Sequence, residues 1–344
     1  MRKICIIGNL AEGTESFNGQ TIKTRIVARH LKHVYGDGNV RCVDTAGGLK
    51  AIAGMLVRIV ECVMGCRNIV ILPAQNGIKV ILPLVVLCNT VFGRRIHYVV
   101  IGGWLPAFLK RHAWLLPFAR RLYMIYPETH NAKSELCRLG LSRVTVMPNC
   151  KPLGILTPEQ LHLGAHNPLR LCLFSRITAT KGVEDAVRAV QMANQKMGRM
   201  VARLDIYGKV DDMAWFDRLK LSFGDSVSYN GCVAYDRSVE TLRGYDALLF
   251  PTYYPGEGLA GTVIDAFAAG LPVIASDWHD NANVVADGVT GFVFPVRDVA
   301  RMADIILGIC DNPDVLAPMK RECLRAAKGY LPENVLTILQ DNLL

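Results

Sequence analysis

The sequence predicts an α/β protein of two doubly wound domains, and three observations carry that expectation. The length of 344 residues suits two domains of ordinary size. Through the first half, apolar strands alternate with amphipathic helices, which implies a parallel sheet covered on both faces. A second alternating series begins at Leu169, after the Pro/Gly-rich and weakly periodic piece NCKPLGILTPEQLHLGAHNP.

Taken in order, the first half has candidate strands at 3–7, 39–43, 68–72, 96–101, 122–125 and 143–147, with helices between them, for example at 20–34 and 50–64. The run IKVILPLVVLCNTVFG carries Lys79 and Pro83 and is too short to span a bilayer comfortably, so a buried helix is expected there. The second series runs through LRLCLFS, ARLDIYG, SVSYNG, DALLFP, LPVIAS and GFVFP. The last segment, PENVLTILQDNLL, reads as an amphipathic helix opened by Pro332. The expected division is a domain over 1–165, a second over 166–330 and a terminal helix over 331–344.

Charge is unevenly placed. Residues 1–150 hold 20 Lys/Arg and 7 Asp/Glu, a balance of +13, whereas residues 151–344 hold 19 and 23, a balance of −4. A basic half beside an acidic half points to an anionic surface as partner. Nucleic acid has no supporting motif here, which leaves an anionic membrane leaflet. The start, MRKICIIG, has too short an apolar run for a signal peptide. Eleven cysteines without a leader are expected to be free thiols of a reducing cytosol. Cys62 and Cys66 sit four apart, but no second ligand pair follows, so they are expected to pack in the core.

The stretch FPTYYPGEGLAGTVIDAFAAGLPVIAS, from Phe250 to Ser276, is the most informative. It reads as strand end, Pro/Gly loop, short helix and strand. Glu257 lies in the loop and Asp265 in the helix, separated by seven residues. Backbone N–H groups at the start of that helix, near Gly258–Gly261, favour an anion. Donors for phosphate together with carboxylates for hydroxyls suit a nucleotide sugar. Upstream, LFSRITATKGVEDAV places Arg176 at a strand end and Lys181 before a helix, so both cations can converge on one diphosphate.

These two motifs resemble the donor site of retaining GT-B glycosyltransferases of the large family 4, written EGxGxxxxEAxAxGxPVIAS and GRxxxxKG. Two departures stand out: Asp265 replaces the usual second Glu, and Ser175 replaces the glycine before Arg176. The resemblance implies a GT-B fold, with two Rossmann-like domains facing across a cleft. The first would bind the acceptor, the second the donor, and the terminal helix would cross back to the first. It implies that Glu257, Arg176 and Lys181 are catalytic, the cations neutralising the departing nucleoside diphosphate. Glu257 would contact the transferred sugar and Asp265 the ribose, while Gly258, Leu259 and Ala260 would supply backbone donors.

The resemblance also assigns the loop at Gly19 to the donor diphosphate or to the acceptor, although helix capping by Asn18 explains much of that signal. The absence of G-x-G-x-x-G disfavours a dinucleotide cofactor, and no D-x-D metal motif appears, so neither cofactor nor metal is expected. Many family members carry a His after the fourth strand, where this chain has Gly102, Gly103 and Trp104, with His97 at the strand start. Near Thr129, which matches a family Ser/Thr, stand Glu128 and His130. Asn149 reads first as a turn residue. Asp277, Trp278 and His279 either line the cleft or are simply solvated.

The implied function is transfer of a sugar from a nucleotide-diphosphate donor to a hydroxyl of a lipid-linked glycan, as in bacterial capsule, exopolysaccharide or O-antigen (lipopolysaccharide) synthesis. The expected setting is cytoplasmic, peripheral on the inner face of the membrane. The segment from Trp104 to Arg121, rich in aromatics and cations, is the expected contact. Two alternatives stay open: a nucleotide-sugar epimerase or hydrolase of the same fold, and a non-catalytic sugar-nucleotide-binding subunit.

Overall fold

The computed structural model describes residues 2–11, 19–46 and 52–343. The chain divides into two units, Met1–Pro152 with Tyr330–Leu344, and Leu153–Gly329. The first boundary thus falls at Pro152, ahead of the expected 165, because the connector packs on the second unit. Leu156 N–H donates to the Ala268 carbonyl (3.0 Å), and Lys320 Nζ donates to the His162 carbonyl (2.7 Å).

In the first unit the strands are β1 (Arg2–Gly8), β2 (Val40–Asp44), β3 (Cys66–Leu72), β4 (Arg95–Val99) and β5 (Met124–Tyr126). All pair in parallel, in the order β2-β1-β3-β4-β5. The helices are α1 (Gly19–Tyr35), α2 (Ile52–Gly65), α3 (Gln75–Phe92), α4 (Leu105–Arg111), α5 (Leu116–Ala119) and α6 (His130–Arg138). Side chains alternate across each strand. Cys5 and Ile7 therefore meet α2 through α6, whereas Ile4 and Ile6 meet α1 and the end of the chain.

Three expectations for this unit need correction. Residues 143–147 form no strand: a single bridge joins Val144 to Ile125, although Arg143, Thr145 and Met147 exchange backbone bonds with 125–127. Second, α3 is not buried. Ile78, Ile81, Leu82, Val85 and Val86 enter the core, while Val80, Leu87 and Val91 face solvent. Third, the terminal segment is two short helices broken at Leu336, which precede and follow it at Pro332–Val335 and Thr337–Gln340. Val335, Leu336, Leu339 and Leu343 are buried in the first unit's core, and Asn68 Nδ2 donates to the Leu343 carbonyl.

In the second unit, β6 (Leu169–Phe174), β7 (Ala202–Tyr207), β8 (Val227–Tyr229), β9 (Ala247–Phe250), β10 (Val273–Ser276) and β11 (Gly291–Phe294) form a parallel sheet of order β11-β10-β9-β6-β7-β8. Its helices are α7 (Val183–Met197), α8 (Met213–Lys220), α9 (Ser238–Leu242), α10 (Gly261–Ala268), α11 (Asn281–Val284), α12 (Val299–Asp311) and α13 (Leu316–Lys328). The order reverses beside β6, whose neighbours are β9 and β7. Open α/β sheets bind ligands at the carboxyl ends of strands near such a switch point.

Candidate donor-binding site

The carboxyl ends of β6 and β9 bring the candidate residues of the second unit together. After β6 the chain turns through Ser175 and Arg176, and a short 3₁₀ turn, Ala179–Lys181, leads to α7. Gly182 makes that path possible. Its φ is +72°, and a Cβ there would lie 2.1 Å from the Pro251 carbonyl oxygen. The turn thus rests against the end of β9, where Tyr253 N–H donates to the Thr180 carbonyl (2.8 Å). Gly208 plays the same part beside Ser175: its φ is +140°, and a Cβ would meet the Ser175 carbonyl oxygen at 1.7 Å.

Lys181 and Glu257 form a nearly buried ion pair, Nζ to Oε2, of 2.5 Å. The Thr252 hydroxyl donates to the same oxygen at 2.7 Å. Thr252 is itself fixed, since its carbonyl accepts the Ser276 hydroxyl at 2.5 Å. The Tyr254 ring lies beside both expected cations, its centroid 5.2 Å from Lys181 Nζ and 5.5 Å from Arg176 Cζ. Arg176 is about half-exposed and pairs with Asp211 at 3.4 Å. The Trp278 indole N–H donates to the Tyr254 carbonyl (2.8 Å), tying the loop after β10 to this cluster. His279 follows at φ +52°, exposed, with its ring 4.5 Å from that of Trp278.

Gly258, Leu259 and Ala260 form the approach to α10, which begins at Gly261. Ala260 has extended backbone and makes no side-chain cap hydrogen bond, while its carbonyl accepts the Val263 N–H (3.1 Å), so the first N–H groups of α10 have no capping side chain. Leu259 buries its side chain. Asp265 lies inside α10 and is also buried.

Gly19 belongs to the first unit and is the first described residue of α1. A Cβ at this position meets nothing within 4 Å, so packing does not demand glycine. Asn18, the expected cap, lies outside the described residues. Thr129 caps α6, its hydroxyl accepting the Ala132 N–H at 3.2 Å. Glu128 is buried and paired with Lys23 at 2.6 Å, which fixes α1 to the end of β5, while His130 is exposed. The Asn149 side chain accepts the next residue's N–H, as a turn residue does. Cys62 and Cys66 are buried with Cys5; the Cys5 contact lowers the Cys62 pKa, but the Cys66 contact and burial outweigh it and push Cys62 up to about 12, which keeps it protonated.

Sequence reasoning missed Thr252, Tyr254 and Asp211, and the Lys23–Glu128 pair. The paired tyrosines of FPTYYPGEG stood in plain view, but nothing in sequence shows that one ring meets two cations. Lys23 and Glu128 are 105 residues apart and carry no motif.

Residues 168–312 match the family described as glycosyl transferases group 1. Among curated proteins, the chain is similar to glycogen synthase of Mycobacterium tuberculosis, 26% identical over 220 residues that cover 62% of this chain and 52% of the relative. It is also similar to the amylovoran biosynthesis glycosyltransferase AmsK of Erwinia amylovora, 25% identical over 179 residues, covering 50% and 44%. The chain therefore spans about half the length of these curated relatives. Among solved structures, HepE of Anabaena in complex with UDP superposes with a TM-score of 0.77 at 15% identity, covering 99% of both chains. Residues 168–312 thus resemble the glycosyl transferases group 1, and the whole chain has the GT-B fold.

Proposed function

We propose that this protein is a retaining glycosyltransferase that moves a sugar from a nucleoside-diphosphate donor to a hydroxyl of a lipid-linked glycan, in the synthesis of a cell-surface polysaccharide. The observation that carries the reading is the Lys181–Glu257 pair, set beside Arg176 and the start of α10 within the region that matches group 1 glycosyl transferases. HepE in complex with UDP and the amylovoran biosynthesis in the name of AmsK support the choice of donor and product classes.

In this reading the diphosphate lies across the start of α10, where backbone N–H groups and the helix dipole favour an anion. Arg176 exchanges Asp211 for the phosphate. That pair is exposed, and such pairs contribute only about 0–1 kcal/mol, so the exchange costs little. Lys181 and Arg176 then stabilise charge on the diphosphate as the bond from the anomeric carbon to its oxygen breaks. The acceptor oxygen forms the new bond to that carbon from the same face, and its proton passes to the departing diphosphate oxygen. Both described contacts of Glu257 end on Oε2, which leaves Oε1 to accept a sugar hydroxyl. Asp265 receives the ribose hydroxyls. The charge compensation comes from Lys, Arg and the helix start, with no metal in the scheme. The balance of +13 over residues 1–150 supports a peripheral setting on the inner face of an anionic cytoplasmic membrane.

The test is a panel of UDP-, GDP- and TDP-sugars in a thermal-shift assay, since a ligand that binds only the folded state raises Tm. The stabilising donor, isotopically labelled, is then supplied with lipid-linked glycan acceptors. Label in the lipid-linked product, with the donor's anomeric configuration, supports the proposal. Free sugar released regardless of acceptor, or no stabilisation by any nucleotide sugar, overturns it.

A further inference from the structure

Six of the eight exposed large apolar side chains described in the first unit lie on α2 and α3. Val80, Leu87 and Val91 recur seven and four residues apart on α3, and so share one face of the helix. They are 52%, 56% and 81% exposed. The neighbouring α2 adds Val57 at 59% and Met64 at 47%, and Trp114, on the turn that packs against α3, is 52% exposed. Scattered exposed apolar residues need no explanation, but a patch of adjoining ones on packed helices does.

We propose that this face is seated in the headgroup region of an anionic bilayer, with α3 lying in the plane of the interface. Charge supports the choice of lipid as occupant. The two helices carry Arg58 and Lys79 and one acid, Glu61, which is already paired with Arg41. Arg58 follows Val57 on α2, and Lys79 precedes Val80 on α3. Arg94 bridges the two helix ends, donating to the Val63 and Met64 carbonyls beside the Phe92 ring. An apolar stripe with cations at its edges suits an interface of acyl chains and anionic headgroups.

By length and composition alone α3 would also qualify to cross a membrane, with 18 residues and a mean hydropathy of 1.4. Its opposite face rules out that use in the folded chain, because Ile78, Ile81, Leu82, Val85 and Val86 are buried against the sheet. This also moves the contact away from the segment expected from sequence. In 104–121, Leu105, Leu109, Leu115 and Ala119 are core residues, and Trp104, Phe108 and Phe118 pack against that core. Trp114 is the aromatic of that segment left exposed.

The inference rests on the membrane placement proposed above, but its experiment needs no donor and so fails independently of the enzymatic reading. The full chain is sedimented with vesicles of phosphatidylcholine alone or with 30% phosphatidylglycerol, in low and high salt. Binding is expected to favour the anionic vesicles, with a residue of binding that survives high salt because apolar side chains are inserted. The double variant L87E/V91E is expected to lose at least tenfold in partition at both salts, since each inserted apolar side chain contributes about tenfold or more. The variant R58E/K79E should lose binding chiefly at low salt. All four positions are exposed, and an unchanged Tm confirms that each variant folds. If L87E/V91E partitions like the unaltered chain, or no vesicle is bound, the proposal is overturned. A concentration-dependent dimer abolished by L87E/V91E also overturns it, by assigning the face to a second copy of the chain.

Discussion

Lys181 and Glu257, 76 residues apart in sequence, meet at 2.5 Å, whereas Arg176 is held on the same Tyr254 ring but keeps half its side chain in solvent. The two cations therefore differ in how they are tied to the fold. Lys181→Ala and Arg176→Ala should each lower turnover by about 10²-fold or more, as loss of a group that stabilises developing charge does. Only Lys181→Ala should also lower Tm, because it strands a buried carboxylate. Kinetics and thermal melts on the two variants check this, and near-normal transfer by both would remove the clamp from the mechanism.

Tyr254 should act through those cations. Each cation–ring contact is worth about 0.5–1 kcal/mol at a partly exposed site. Tyr254→Phe keeps the ring and should retain most activity. Tyr254→Leu removes it and should lower kcat by about tenfold, more than it weakens donor binding. Trp278→Phe loses the indole bond to the Tyr254 carbonyl and should show a smaller loss in the same direction. A Leu variant with normal kcat would reduce the ring to packing.

Much of the fold was legible because parallel strands buried on both faces are short apolar runs, as in LRLCLF and VIAS. What failed depended on partners that sequence does not name. Residues 143–147 have strand composition but lie beside β5 with one bridge. The α3 run is apolar all round, so its pattern could not say that one face would stay uncovered. The terminal segment breaks at Leu336, which is itself buried. At the candidate site, the placing of Glu257 in the loop and Asp265 inside α10 was legible because loop and helix are contiguous in sequence. The Lys181–Glu257 contact and the Tyr254 ring were not, since loop closure across β6 and β9 creates them.

Asp265 occupies a buried position in a helix whose neighbours are Ile264, Ala266 and Phe267. In the reading proposed above its carboxylate receives the ribose hydroxyls. Asp265→Asn should weaken nucleotide binding by about tenfold or more, the scale of a hydrogen bond to a charged group. Asp265→Glu adds one methylene to a tight site and should recover binding only partly. Isothermal titration with the free nucleoside diphosphate measures both, and unchanged affinity in the Asn variant would exclude a ribose contact.

His97 predicts an acid limit for the first unit. It is fully buried in β4, with Nε2 3.4 Å from Asn68 Oδ1 and Nδ1 3.1 Å from the Tyr126 hydroxyl. The Asn68 amide nitrogen is committed to Leu343, so its oxygen faces the ring and assigns the proton to Nε2. Nδ1 then accepts from Tyr126, an arrangement that only neutral imidazole can make. Burial, with some help from Arg95, lowers the pKa from 6.5 to about 4. Because the folded value lies below the unfolded one, the unfolded chain binds the extra proton between these two values. Stability is therefore intact above pH 6.5 and is lost as pH falls toward about 4. The gap is worth about 3 kcal/mol at full effect. Tm should fall between pH 7 and pH 4.5, and His97→Gln should be less stable at pH 7 but flatter with pH. A variant whose Tm falls with pH as steeply as that of the unaltered chain would show that this imidazole is not the group being titrated.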